Sequence, residues 1–139
     1  MFSGGCASTH PGSSSLAYVV VEGAELEDIR AETRRVFDDE FYEVERDQPN
    51  EIIFEREGTQ RDKVLWGGYV ERDLRMRVVV TFEPFAKGGV LVCADAYVVR
   101  EGVISETEKI MRIGRRPYQD LLNRMKASLV TSRPTSRSR

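Results

Sequence analysis

Two cysteines, one histidine and one tryptophan among 139 residues leave little of the usual chemistry of protein sites. Two cysteines cannot form the several-bridged framework that holds small secreted scaffolds together. With Cys6 in an N-terminal tail, Cys93 is expected to have no disulfide partner. His10 sits in the run Ala7-Ser8-Thr9-His10-Pro11-Gly12-Ser13-Ser14-Ser15, so a Ser-His or Cys-His nucleophilic pair would need a general base that the rest of the chain does not contain. No Cys/His set has zinc spacing, no glycine-rich loop joins a strand to a helix as a phosphate cradle, and no carboxylate run has the pattern of a calcium loop. Neither a cofactor nor a metal is expected. No apolar run approaches the roughly 18 residues that span a bilayer, so the folded part is expected to be soluble.

What remains is a chain that is 40% hydrophobic and 32% charged, enough for one core. Residues 16–130 are expected to form a single domain burying roughly two-thirds of its unfolded surface. Residues 1–15 read as a flexible tether, and residues 131–139, which are Thr, Ser, Pro and Arg only, as a disordered basic tail with nothing to bury. The net charge of −2 hides an asymmetry: residues 1–103 carry 12 basic and 20 acidic side chains, residues 104–139 carry 9 basic and 3 acidic.

The expected element order follows from periodicity and punctuation. Leu16 to Glu22 is β-branched and aromatic and ends at Gly23, which predicts a strand. Glu25 to Glu40 carries Leu26, Ile29, Thr33, Val36 and Phe37 at helical spacing, with Glu25, Glu27 and Asp28 at the positive end of the helix dipole. Phe41 to Arg46 and Glu51 to Glu57 flank the turn residues Asp47-Gln48-Pro49-Asn50 and predict a hairpin. Gly58 to Arg72 is expected to be a bent connection with some strand character, because Gly67-Gly68 interrupts an apolar and aromatic stretch. Leu74, Met76, Val78, Val80 and Phe82 alternate with more polar residues, Pro84 to Gly89 turns, and Val90 to Arg100 returns. If Val80 faces Ala94, Arg77 and Asp95 share the outer face and are close enough diagonally to pair. Ser105-Glu106-Thr107-Glu108 matches a capping box and predicts the start of a second helix. Gly114 and Pro117 interrupt it, and Tyr118, Leu121, Leu122, Met125 and Leu129 carry it on to about Val130. The fold class is therefore α+β: an antiparallel sheet of about five strands, order β-α-β-β-β-β-α, with two helices on one face.

Three groups of residues are candidates for function. Trp66 and Tyr69 would suit a partner surface, since aromatics are enriched at interface hot spots; the plainer alternative is that Trp66 plugs the end of the core. Glu55 and Glu57 alternate along one strand face and could act as paired acid and base; the plainer alternative is a solvated face. Arg112, Arg115, Arg116 and Arg124, with Lys126, Arg133, Arg137 and Arg139, form the one basic concentration. It suits anion contact with nucleic-acid phosphates, with lipid headgroups or with an acidic protein, or else a solvated helix face.

Phe2-Ser3-Gly4-Gly5-Cys6, followed by the flexible run, resembles the lipobox of bacterial lipoproteins, in which small residues precede a cysteine that is cleaved free and acylated. The resemblance implies lipid attachment at Cys6 and, since two or more acyl chains hold a protein stably on a bilayer, a membrane tether. A signal peptide would then lie upstream of Met1, giving a periplasmic, membrane-anchored protein; without one the expected location is cytoplasmic. The element order is similar to the helix-grip domains of small outer-membrane lipoproteins, a likeness of layout with no residue motif attached. Together these lead us to expect a non-enzymatic, lipid-tethered envelope protein that binds or scaffolds another envelope protein. A cytoplasmic nucleic-acid-binding domain using the Arg-rich C-terminal region is the alternative, and an unrecognised enzyme the third.

Overall fold

A computed structural model describes residues 15–58, 73–101, 106–110 and 114–137, without the side chains of Asp73, Glu101, Glu106 and residues 131–137. β1 (Ala17–Val21) leads through Gly23 to α1 (Leu26–Asp39), and β2 (Glu43–Gln48) and β3 (Glu51–Glu57) form a hairpin. β4 (Asp73–Phe85) and β5 (Gly89–Glu101) form a long second hairpin, followed by β6 (Glu106–Lys109) and α2 (Arg116–Arg137). The sheet is antiparallel, with spatial order β1-β5-β4-β3-β2. β6 lies beyond β1 along the same edge of β5.

The period-two pattern of β4 and β5 decides which face is covered. Val80 pairs with Ala94, as the hydrophobic alternation requires, so Leu74, Met76, Val78, Val80 and Phe82 join Val92, Ala94, Ala96 and Val98 on one buried face. Ile52 and Phe54 of β3 and Ala17, Val19 and Val21 of β1 extend it. Onto it pack Ile29, Val36 and Phe37 of α1 and Tyr118, Leu121, Leu122, Met125 and Leu129 of α2. The small side chains of Ala94 and Ala96 leave room for the helices. Phe37 stacks on Phe54 at 4.3 Å between ring centroids and meets Tyr42 edge-on at 5.2 Å, a geometry that adds favourably to burial.

The long hairpin turns at Ala86–Gly88, where Lys87 and Gly88 both have positive φ (62° and 76°), the left-handed region that glycine enters without strain. Gly58 is required for a different reason. A Cβ there would lie 2.9 Å from Leu74 Cδ2, because the Gly58 N–H donates to the Leu74 carbonyl at 2.7 Å.

Three local expectations give way. Glu106–Lys109 is a strand, although Ser105-Glu106-Thr107-Glu108 has the signature of a helix start. β1 occupies only the Val90–Ala94 part of the β5 edge, and the backbone groups of Tyr97–Arg100 still need partners; pairing with β6 supplies them. α2 starts at Arg116 and runs to Arg137, past the end of its apolar stripe near Val130, because propagation costs far less than nucleation. Arg77 does not pair with Asp95: it bonds Glu55 at 2.6 Å, while Asp95 accepts from the Leu16 N–H at 2.9 Å and faces Lys109 at 3.8 Å.

Cys93 also departs from expectation. It is disulfide-bonded, and the one other cysteine in the sequence, Cys6, lies outside the described residues. Cys93 is on the face away from the helices, where it and Leu91 form a small buried cluster flanked by Val20 and Phe85.

Candidate functional site

The two edges of the sheet are built differently. On the β1 edge, Gln119 of α2 clamps the Tyr18 backbone: its Oε1 accepts from the Tyr18 N–H at 3.1 Å and its Nε2 donates to the Tyr18 carbonyl at 2.7 Å. Arg115 donates to the same Gln119 Oε1 at 3.3 Å, and Asn123 accepts from Nε2 at 3.2 Å. The side-chain amide thus does the work of a neighbouring strand. On the other edge, all six residues of β2 are exposed and pair only with β3 among the described residues. A bulge between Val44 and Arg46 leaves Glu45 out of the ladder.

The turn from α1 into β2 carries one of two non-glycine residues with positive φ among the described residues. The Tyr42 N–H donates to the Phe37 carbonyl at 3.0 Å and the Phe41 N–H to the Asp38 carbonyl at 2.9 Å. This is the paired bond pattern that closes many helices, normally with glycine in the left-handed position. Here that position is Phe41, with φ 70°, and its side chain is 84% exposed. The accompanying apolar contact is the edge-on meeting of Phe37 with Tyr42. A left-handed conformation costs an L-residue roughly 1–2 kcal/mol, and an exposed ring returns little of that by burial.

Around Phe41, Val44 is 44% exposed and is paired with Phe54. Of the nearby acids, Asp39 pairs with Arg35 at 3.1 Å and Glu40 with Arg124 at 3.1 Å. Asp47 is held by Arg30 and by Arg34, the latter at 3.2 Å. Asp38, Glu43 and Glu45 have no ion pair among the described residues, and Arg46 is the only cation on the strand. Beside this turn lies an open hollow of about 250 Å³ lined by Glu40, Tyr42, Arg56, Tyr118, Asp120 and Arg124, with Pro117 and Leu121. Arg56 lies over the Tyr42 ring at 4.9 Å, a cation–π contact.

Trp66, Tyr69, Cys6 and Arg112 lie outside the described residues. Arg115 supports the Gln119 clamp, Arg116 is exposed at the start of α2, and Arg124 is tied to Glu40 of α1. Glu55 is buried, not solvated, and lies between Arg75 at 2.9 Å and Arg77 at 2.6 Å. Burial alone would raise its pKa, but the hydrogen bonds from the two guanidinium groups outweigh that and hold it below the ordinary carboxylate value, which suits a structural anion and not a proton donor. Glu57 is exposed on the same face. Glu32 is likewise held low, first by its hydrogen bond from Arg35.

Among the described residues no group of His, Cys, Asp and Glu is placed to hold a metal ion, and no helix is long and apolar enough to cross a membrane. No protein-family model matches the chain, and no curated protein matches it as a relative.

Phe41 could have been marked from sequence as the one aromatic directly following the acidic end of a helix. Its left-handed backbone could not, because the motif ordinarily announces itself with glycine.

Proposed function

We propose that this chain is a non-enzymatic, protein-binding domain of the bacterial cell envelope. The observation that carries the reading is Phe41, a large aromatic held in a strained left-handed turn and left in solvent beside a sheet edge that is open among the described residues. Strain of this kind persists where the surroundings enforce it and concentrates at functional positions, and exposed aromatics are common anchors of interfaces.

Two features support export. Gly4-Gly5-Cys6 resembles a lipoprotein processing site, and a disulfide at Cys93 fits an oxidising compartment. One sulfur cannot be both acylated and disulfide-bonded, so a lipid tether on Cys6 and a bond from Cys6 to Cys93 are alternative states, and both belong outside the cytoplasm. A photo-reactive phenylalanine analogue at position 41 tests the binding role: illumination of intact cells is expected to give a discrete protein adduct that the same analogue at Lys87 does not. A pattern identical at both positions contradicts it. Intact-mass analysis of protein recovered directly from cells tests export: an acyl mass, or a reducible disulfide, is expected, and two unmodified thiols contradict it.

A further inference from the structure

The same surface specifies what kind of partner it takes. Resting on the protein-binding reading above, we propose that β2 is the docking edge for a basic, extended segment of another protein, which adds to the sheet as a further strand and covers Phe41. Three observations converge on it. The first is the asymmetry of the edges: the Gln119 amide occupies the backbone of Tyr18 on the β1 side, whereas among the described residues β2 pairs with no strand but β3, only its Gln48 carbonyl being held by a side chain, that of Arg30 at 3.2 Å, and every residue of the strand is exposed. Unpaired edges template the addition of a strand, with main-chain bonds giving affinity and alternate side chains giving selectivity.

The second is charge. Among the described residues Asp38, Glu43 and Glu45 lack ion pairs, whereas the other acids of this turn, Asp39, Glu40 and Asp47, are each neutralised by an arginine. The local excess is negative, with Arg46 alone opposing it, so an incoming strand bearing Lys or Arg is steered in and an acidic one is repelled. The third is Phe41 itself. Glycine at that position would close the helix with less strain, so a stability argument does not account for a phenylalanine there, whereas an aromatic anchor covered by a bound strand does. The charges and the bulge discourage indiscriminate edge-to-edge pairing while leaving the edge open to a segment of the opposite sign.

The probe is a capped synthetic peptide of alternating Lys and Val, with an alternating Glu and Val peptide as its counterpart, titrated against the full chain by fluorescence anisotropy. The Lys peptide is expected to bind, to weaken as salt is raised, and to bind F41G about tenfold more weakly, the loss typical of truncating an interface anchor. The double variant E43K/E45K is expected to lose the Lys peptide and gain the Glu peptide. V44P, which removes a backbone donor from β2, and wild-type protein in which β2 remains unprotected from hydrogen exchange separate strand addition from simple charge attraction. Equal binding by F41G and wild type, binding of both peptides alike, or pairing of β2 with a second copy of this chain at the same concentrations overturns the proposal. No binding of the Lys peptide overturns it too, and leaves the broader protein-binding reading to the crosslinking experiment at position 41.

Discussion

Replacing Phe41 separates a cost in folding from a benefit in binding. In the turn that closes α1, the Phe41 backbone has φ 70° and its side chain is 84% exposed. Substitution by glycine removes a left-handed penalty of roughly 1–2 kcal/mol and sacrifices little buried area. It also makes the unfolded chain more flexible, a loss of about 0.4–1 kcal/mol. The expected net effect of F41G is a gain of roughly 0.5–1 kcal/mol, or about 2–6 °C in Tm for a domain of this size. F41A provides the control, since it removes the ring but keeps the Cβ that causes the penalty; its stability is expected to stay within about 0.5 kcal/mol of wild type, as for an exposed position. Urea denaturation at neutral pH, followed by far-UV circular dichroism, resolves differences of this size when the slopes agree. If F41G is less stable than F41A, the Cβ carries no net left-handed penalty at this position and the argument from strain fails; if F41A falls well below wild type, the ring itself contributes to the fold.

Glu55 predicts a pH dependence. Its folded pKa is depressed by Arg75 and Arg77, so its contribution to stability is fully present above the unfolded carboxylate pKa of about 4.3 and is lost as pH falls through the folded value. The wild-type urea midpoint should therefore fall more steeply than that of E55Q as pH drops from neutral into the acid range, and parallel curves would contradict it. Arg30 is buried and ties α1 to the β2–β3 turn through Asp47 and, at 3.2 Å, the Gln48 carbonyl. R30M is expected to cost about 1–3 kcal/mol, below the full price of breaking a buried pair because Asp47 is partly solvated, and a cycle with D47N should return a coupling of at least about 0.5 kcal/mol. Reducing the disulfide at Cys93 should lower stability by about 2–4 kcal/mol, read as a shift in the urea midpoint with and without dithiothreitol; no shift would mean that the bond restrains nothing.

Where local pattern and tertiary packing agreed, the fold was legible from the residues. The alternation of Leu74 through Phe82 put those side chains on one buried face, and the stripe from Tyr118 to Leu129 placed α2 on the core. Legibility failed where a local signal met a long-range need. Glu106–Lys109 has a capping pattern but satisfies the open part of the β5 edge. Arg77 chooses Glu55 on β3 over Asp95 on β5, which depends on the long-range pairing of β3 with β4. The site was the least legible part. Phe41 is one residue in a hairpin flank when read linearly, and only the geometry of the helix end makes it conspicuous. The Arg-rich C-terminal concentration, prominent in sequence, is partly drawn into Gln119 and Glu40.

The most direct measurement of the central claim is residue-resolved amide hydrogen exchange of the full chain with and without the Lys-Val peptide. Protection that appears selectively at Glu43–Gln48 and needs about tenfold more peptide in F41G is the predicted result. Protection confined to the β1 and β6 edge, or none on β2 at peptide concentrations that saturate the anisotropy signal, would contradict the account.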